Sequence, residues 1–257
     1  MKIKGFTLAE ALITLGIIGT IAAITLPSLM NNTQPTQLQA SFQKTVNDLD
    51  SFAKIFYAEN EMSVPLYTSL NDSSKLFNEF QKYVAKSSKT SDWTWTSNNS
   101  KTMVYKYYSL TNPGGPSLTS SICDATGKIQ DGNGRLYSFD DAPLRGFNGP
   151  RVCVDINGTK GPNIYGLDVF SFLFTTDGSV IPEGEPHPNS NSSDIVYDYD
   201  KGIGYAWQAG TTSGAENCYN SQWGQTCAHF AMMDINPKNS KEKYWKDFVG
   251  KKGYLKK

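Results

Sequence analysis

The chain has 257 residues, 39% hydrophobic and 19% charged, a composition ordinary for a folded protein with a sizeable core. Its 24 basic and 24 acidic residues balance to a formal net charge of +0, so overall charge gives no argument for nucleic acid or an anionic surface as partner. Basic residues cluster only at the ends: Lys2 and Lys4 precede an apolar run, and Lys251, Lys252, Lys256 and Lys257 form a solvated tail.

From Phe6 to Met30 the residues are mainly Ala, Leu and Ile, the polar interruptions are mostly Thr, and no charge follows Glu10 until Lys44. This predicts a helix of about the length that spans hydrocarbon. With Lys2 and Lys4 on its flank, the positive-inside bias predicts a cytoplasmic N-terminus and places everything after Met30 across the membrane. A carboxylate at the centre of such a helix costs roughly 2.5 to 3.5 kcal/mol on insertion scales, so Glu10 is expected to serve a partner. A secretory signal peptide with a small-residue cleavage site near Ala22 and Ala23 suits an ionisable residue poorly. A plain single-span anchor leaves Glu10 unexplained.

The run Lys4-Gly5-Phe6-Thr7-Leu8-Ala9-Glu10-Ala11-Leu12-Ile13-Thr14-Leu15-Gly16-Ile17-Ile18-Gly19, with Pro27 downstream, closely resembles the N-terminus of bacterial type IV pilins and type II secretion pseudopilins. The resemblance covers about thirty residues and implies that a prepilin peptidase cuts after Gly5 and methylates the new N-terminal Phe6. It divides the chain into a leader (1–5), a transmembrane or filament-core helix (6–30), an amphipathic continuation (31–60) and an exported globular domain (61–257). It also implies a partner for Glu10, the ammonium of Phe6 on a neighbouring subunit. Opposite charges attract strongly in a low dielectric, and breaking a buried pair strands an ion at a cost of several kcal/mol, so pairing favours subunits added in register. Pro27, which lacks an amide hydrogen, is expected to kink or locally open the helix near the membrane exit. Gly16 and Gly19 are expected to be packing residues, their spacing not being the four-residue small-xxx-small pattern.

After Pro35 the apolar positions Leu38, Phe42, Val46, Leu49, Ala53 and Phe56 recur at threes and fours, which predicts an amphipathic helix. One helix from Phe6 to about Asn60 would measure on the order of 80 Å at 1.5 Å per residue. A shorter helix is predicted from Ser74 to Lys86, with Leu76, Phe77, Phe80 and Val84 inward. Trp93 to Thr96 and Met103 to Leu110 have strand composition, and Asn112-Pro113-Gly114-Gly115-Pro116 is a loop. The best hairpin runs from Asp168 to Pro182 around Asp177-Gly178, a dipeptide that accepts a type I′ turn. Glu183 to Asp194 reads as a surface loop. The fold class is therefore α+β: a long kinked N-terminal helix, half membrane and half amphipathic, packed on an antiparallel sheet, as in the pilin plan.

Four cysteines beyond a membrane suggest disulfides rather than redox or metal chemistry. Three connectivities are possible, and Cys123 with Cys153 and Cys218 with Cys227 is favoured because the latter two flank a short loop. Asp155, Asn157, Asn163 and Asp168 gather oxygen ligands in a Gly-rich stretch, so calcium is conceivable. The stretch is not an EF-hand, because Lys160 stands at the turn-Gly position and Gly166 at the bidentate-Glu position. The bland reading is an Asx-stabilised turn. Cys218, Cys227 and His229 make three zinc ligands without a fourth. His187 sits between two prolines. Tyr105, Tyr107 and Tyr108, with Trp93 and Trp95, form either a glycan-binding face or half-buried strand positions, with core packing favoured. With no Gly-x-Ser-x-Gly, phosphate loop or dinucleotide fingerprint, an enzyme is not expected, nor is any resident cofactor beyond that conceivable calcium.

The resemblance implies a structural subunit of a pilus or secretion pseudopilus. Its partners would be the prepilin peptidase, other pilin or pseudopilin subunits, an inner-membrane platform protein with its cytoplasmic ATPase, and membrane lipid before assembly. It would reside in the cytoplasmic membrane and then in a surface or periplasmic filament. A different class of function on the same anchor is a surface binding protein, an adhesin or DNA-uptake component.

Overall fold

The computed structural model describes residues 7–71, 73–84, 88–90, 105–118, 122–123, 127–140, 149–184 and 218–250, with the backbone alone at 26–32, 73–74 and 88–90. The expectations placed on Gly5, Phe6, Trp93, Trp95 and His187, and those on the side chain of Pro27, lie outside these residues.

The first element, α1 (Leu8–Asn60), is an uninterrupted helix of 53 residues, about 80 Å long at 1.5 Å per residue. Thr7 caps it at one end and Glu61, in the left-handed conformation at φ 53°, ends it at the other. The backbone stays helical through positions 27 and 35, so no unwound turn separates the halves. They nevertheless live in different surroundings. Over the second half, Leu38, Phe42, Val46, Leu49, Ala53 and Phe56 are all buried, joined by Phe52. Over the first, Leu8, Leu12, Leu15, Ile18, Ile21 and Ile24 stand exposed.

Two short helices follow, α2 (Val64–Leu70) and α3 (Ser73–Tyr83). Pro65 opens α2, where its missing amide hydrogen costs nothing. Leu76, Phe77 and Phe80 turn α3 onto the core, and the Phe80 ring meets Phe52 edge-on at 4.8 Å.

The sheet is antiparallel and six-stranded, with strands paired in chain order: β1 (Ser88–Thr90), β2 (Lys128–Gln130), β3 (Leu136–Phe139), β4 (Arg151–Asp155), β5 (Val169–Phe174) and β6 (Val180–Pro182). Register sets Tyr137 opposite Val154, Val154 opposite Phe170, and Val152 opposite Phe172, so these side chains share one face. That face meets α1: the Phe42 ring lies 4.8 Å from Phe170 and 5.6 Å from Phe172. The alternate residues form the opposite, distal face, where Leu136, Cys153 and Val169 cluster with Tyr105, Tyr107, Ile122, Cys123 and Tyr165. Both faces are covered, and every residue of β3, β4 and β5 is buried. This architecture is α+β.

Two expectations are corrected. The segment predicted as a strand up to Leu110 makes no regular ladder over its described part. Tyr108 forms a single parallel bridge to Ile164, and the segment instead lays Tyr105 and Tyr107 across the distal face. The β5–β6 hairpin is present but its turn is not type I′, which requires two residues with positive φ. Only Gly178 has one, at +85°. Thr175 N donates to Ser179 O at 2.9 Å and Gly178 N to Thr175 O at 3.1 Å, the pattern of a three-residue turn closed by a left-handed glycine. Asp177 does not have a positive φ, and its carboxylate accepts the Ser179 amide at 3.2 Å and hydroxyl at 2.8 Å.

The C-terminal part completes the core. Helix α4 (Cys227–Met233) and a π-helix at Tyr244–Val249 pack together through the Trp245 indole, which donates to Ala231 O at 3.0 Å. The Trp245 ring lies 5.5 Å from Phe42 and 5.7 Å from Phe170, filling the seam between α1 and the sheet.

Candidate functional site

Leu8–Thr25 of α1 is long and apolar enough to cross a membrane, and none of it is buried inside the molecule. Its only charged residue is Glu10. Its threonines carry no free donor to the surface: Thr14 donates to Glu10 O and Ala11 O at 3.0 and 2.9 Å, Thr20 to Ile17 O at 2.9 Å, and Thr25 to Ile21 O at 2.9 Å. The hydroxyls are thus folded back on the helix backbone. Glu10 is the exception that chemistry must account for.

The carboxylate of Glu10 is held by Thr7. Its Oε2 accepts the Thr7 amide at 2.9 Å and the Thr7 hydroxyl at 2.8 Å, while the Glu10 amide approaches Thr7 Oγ1 at 3.3 Å. This is a capping box, which pairs amides that the first helical turn leaves without partners and sets a negative charge at the positive end of the helix dipole. Glu10 stands out in the sequence as a charge in an apolar run; Thr7 does not, although Thr7-Leu8-Ala9-Glu10 carries the S/T-x-x-E signature.

Farther along α1, hydrogen bonds tie the same helix to the sheet. Ser41 donates to Ile156 O at 2.5 Å. Four residues on, Thr45 Oγ1 accepts from Arg135 at 3.1 Å, and Asp48 pairs with the same guanidinium at 2.5 Å. Arg135 Nε also donates to Asp131 Oδ2 at 2.6 Å, and Tyr137 OH reaches that oxygen at 3.2 Å. The guanidinium is buried and fixes α1 to the β2–β3 hairpin at one register. None of these residues stood out in the sequence, because the partners lie about 90 residues apart.

The oxygen-rich loop after β4 brings Asp155, Asn157, Asn163 and Asp168 together. Asp168 Oδ1 accepts Ile164 N at 2.6 Å and its Oδ2 accepts Asn163 N at 2.9 Å. Asp155 Oδ1 accepts Asn157 N at 3.1 Å, and its Oδ2 takes the Tyr105 hydroxyl. Burial raises the Asp168 carboxyl to about 6, and burial together with the neighbouring Asp168 charge pushes Asp155 well up. Every carboxylate oxygen is thus occupied by a protein donor, and among the described residues no three acidic, His or Cys side chains assemble as a metal site. Asn157 Oδ1 and Asn163 Oδ1 are buried without hydrogen-bond partners, the one feature here that a hard cation would relieve. The donor set as a whole fits a hydrogen-bonded staple joining β4 to β5 better than a calcium cage.

Above the staple, Lys128 is buried between the rings of Tyr105 and Tyr107, with Nζ 5.1 and 4.6 Å from their centroids. Its ammonium donates to Tyr107 OH and to Ser138 Oγ, the latter at 3.2 Å. Burial lowers its pKa to about 7. Tyr105 and Tyr107 therefore belong to the interior, and Tyr108 is half-buried against the main core.

Cys123 is bonded to Cys153 and Cys218 to Cys227, with Cα separations of 5.9 and 4.6 Å. Both thiols that would join His229 in a zinc set are consumed by the second bond, and His229 is half-buried, its pKa lowered by desolvation. Compared with known protein families, curated proteins and solved structures, the chain has no match in any of the three.

Proposed function

We propose that this chain is a prepilin-like structural subunit, cleaved after Gly5 and methylated at Phe6, that assembles with its own kind into a type IV pilus or a type II secretion pseudopilus. One observation carries the reading: an exposed apolar helix of membrane length bears a single carboxylate at its start and continues without a break into the core of a globular α+β domain. Before assembly, lipid covers Leu8–Thr25. In the filament, the same helix of neighbouring subunits takes the place of lipid, and Glu10 receives the Phe6 ammonium of a neighbour. The N-terminus faces the cytoplasm and the sheet lies beyond the inner membrane, where the two disulfides are stable. Prepilin peptidase, a platform protein and its ATPase are the machinery this life cycle requires.

The seam of Trp245, Phe42 and Phe170, with the Arg135 clamp, suits such a subunit because a pull on α1 is borne by the whole sheet. A binding role for the exported domain is less favoured, since Tyr105 and Tyr107, on which an aromatic binding face would rest, are interior.

Mass spectrometry of the mature chain is expected to find N-methylphenylalanine at Phe6. A chain that still begins at Met1, or one that begins near Ile24, sinks the reading. Glu10→Val is expected to remain in the membrane and to be lost from filaments.

A further inference from the structure

Where α1 passes from its exposed apolar half to the sheet, a cavity of about 480 Å³ opens against its flank. Its polar lining runs from Gln34 and Gln37 on α1 to Asn133 in the β2–β3 turn and to Asn157 and Lys160 after β4. No carboxylate lines it. The acids closest along the chain are already engaged, since Asp131 holds Arg135 while Asp155 and Asp168 accept the donors of the staple. A second ammonium stands beside the cavity, with Lys44 Nζ 3.5 Å from Asn133 Oδ1. Among the described residues the side chains of Gln34, Gln37 and Lys160 have no hydrogen-bond partner. The lining is thus positively charged and holds unused N–H donors, the complement of a phosphate diester.

The height of the cavity along α1 says where such a phosphate comes from. Counted from Leu8 at 1.5 Å per residue, about 30 Å of hydrocarbon ends near position 28, and a headgroup layer of about 5 to 8 Å reaches roughly positions 31 to 33. Gln34, the near rim of the cavity, follows at once. We propose that this cavity binds the glycerophosphate headgroup of an anionic phospholipid, with Lys160 set against the phosphate and Gln34 and Gln37 donating to its oxygens. A zwitterionic headgroup brings its own cation toward Lys160 and Lys44, so charge selects the anionic lipid. The inference rests on the part of the proposed function that puts Leu8–Thr25 in a membrane, and it adds a second point, besides α1, at which the sheet domain is held to the membrane surface.

The test uses the full chain in nanodiscs of equal phosphatidylglycerol and phosphatidylcholine, released into detergent and weighed by native mass spectrometry to count the lipids retained. Wild type is expected to keep phosphatidylglycerol over phosphatidylcholine by about fivefold, the effect of one basic residue beside an anionic surface. Lys160 is exposed, so Lys160→Gln leaves the fold intact and should bring the ratio to about one. The double variant Gln34→Leu/Gln37→Leu leaves net charge unchanged and should lower the retained phosphatidylglycerol about tenfold, through lost hydrogen bonds to a charged group. Lys246→Gln, an equally exposed lysine on the π-helix, should match wild type. Equal retention of the two lipids by wild type overturns the proposal, as does an equal loss in Lys246→Gln or no loss in the double variant. Displacement of the lipid by millimolar inorganic phosphate would assign the site to free phosphate and overturn it too. A chain recovered outside the membrane fraction would instead refute the membrane reading itself.

Discussion

Replacing Arg135 by Met removes the group that fastens α1 to the sheet, and the structure allows the cost to be divided. Toward Asp48 the guanidinium makes a pair whose acidic partner is 40% exposed, so this leg contributes about 0 to 1 kcal/mol. Toward Asp131 the situation differs, because that side chain is only 2% exposed. Breaking a buried pair by deleting one partner costs about 3 to 5 kcal/mol, most of it from the stranded charge. Asp131 keeps the amides of Asn133 and of residue 135, both at 2.9 Å, and the Tyr137 hydroxyl, which argues for the lower end. The expected loss for Arg135→Met is therefore about 3 kcal/mol. With a urea dependence of about 2 kcal/mol/M, the unfolding midpoint of the full chain in detergent should fall by about 1.5 M. The companion Asp131→Asn/Arg135→Met has no stranded charge and should recover at least half of the loss. A single variant that shifts the midpoint by less than about 0.3 M, or a double variant no better than the single, would refute this partition of the clamp.

Four further outcomes are expected. Lys128 has its pKa depressed by burial from 10.5 to about 7, so between those values the unfolded chain holds a proton that the folded chain lacks. Stability should consequently rise with pH across that window by up to about 1.4 kcal/mol per unit, and Lys128→Met should flatten the slope; a fall with rising pH would contradict the buried amine. Asp168 works in the opposite sense: its pKa, raised by burial from 3.8 to about 6, adds stability as pH drops through that interval, and Asp168→Asn should abolish this. Calcium at about 1 mM should leave the melting temperature within about 1 °C of the value in chelator, because the carboxylate oxygens already accept protein donors. A larger rise that Asp168→Asn removes would assign Asn157 Oδ1 and Asn163 Oδ1 to a cation. Finally, the Cys123 bond spans 30 residues and the Cys218 bond 9. Chain entropy then predicts losses of about 3.6 and about 2.6 kcal/mol on replacing each pair by Ala, so urea midpoints in that order are expected.

What the sequence revealed follows from what local periodicity can encode. The stripe Leu38 to Phe56 was legible because a helix buries one face against a distant sheet and repeats its apolar spacing to do so. Strands β2, β3 and β4 were not. They are three to five residues long and buried throughout except at Gln130, and they carry Lys128, Arg151 and Asp155 in the interior, so no alternation marks them. Arg151 is tolerated there because Glu183 pairs with it at 2.8 Å and Asp140 at 2.6 Å, partners that only the folded chain supplies. Glu10 was conspicuous as an anomaly in an apolar run, whereas Thr7 looked ordinary until its hydrogen bonds were seen. The Asp155 to Asp168 loop was recognised as a cluster of oxygens, but which donors fill them depends on Tyr105, fifty residues upstream.

The strands of the sheet pair in the order in which they occur, and this has a bearing on biogenesis. A ribosome delivers a chain from its N-terminus, so from β2 onward each new strand finds its neighbour already present. Only β1 waits for a partner encoded well downstream, and the later, sequence-local contacts form quickly. Until Tyr244–Val249 arrives, however, the crevice around Phe42 and Phe170 lacks Trp245. Truncation before that segment should leave a nascent domain with its sheet paired but its seam unsealed, a species prone to capture by chaperones or to aggregation.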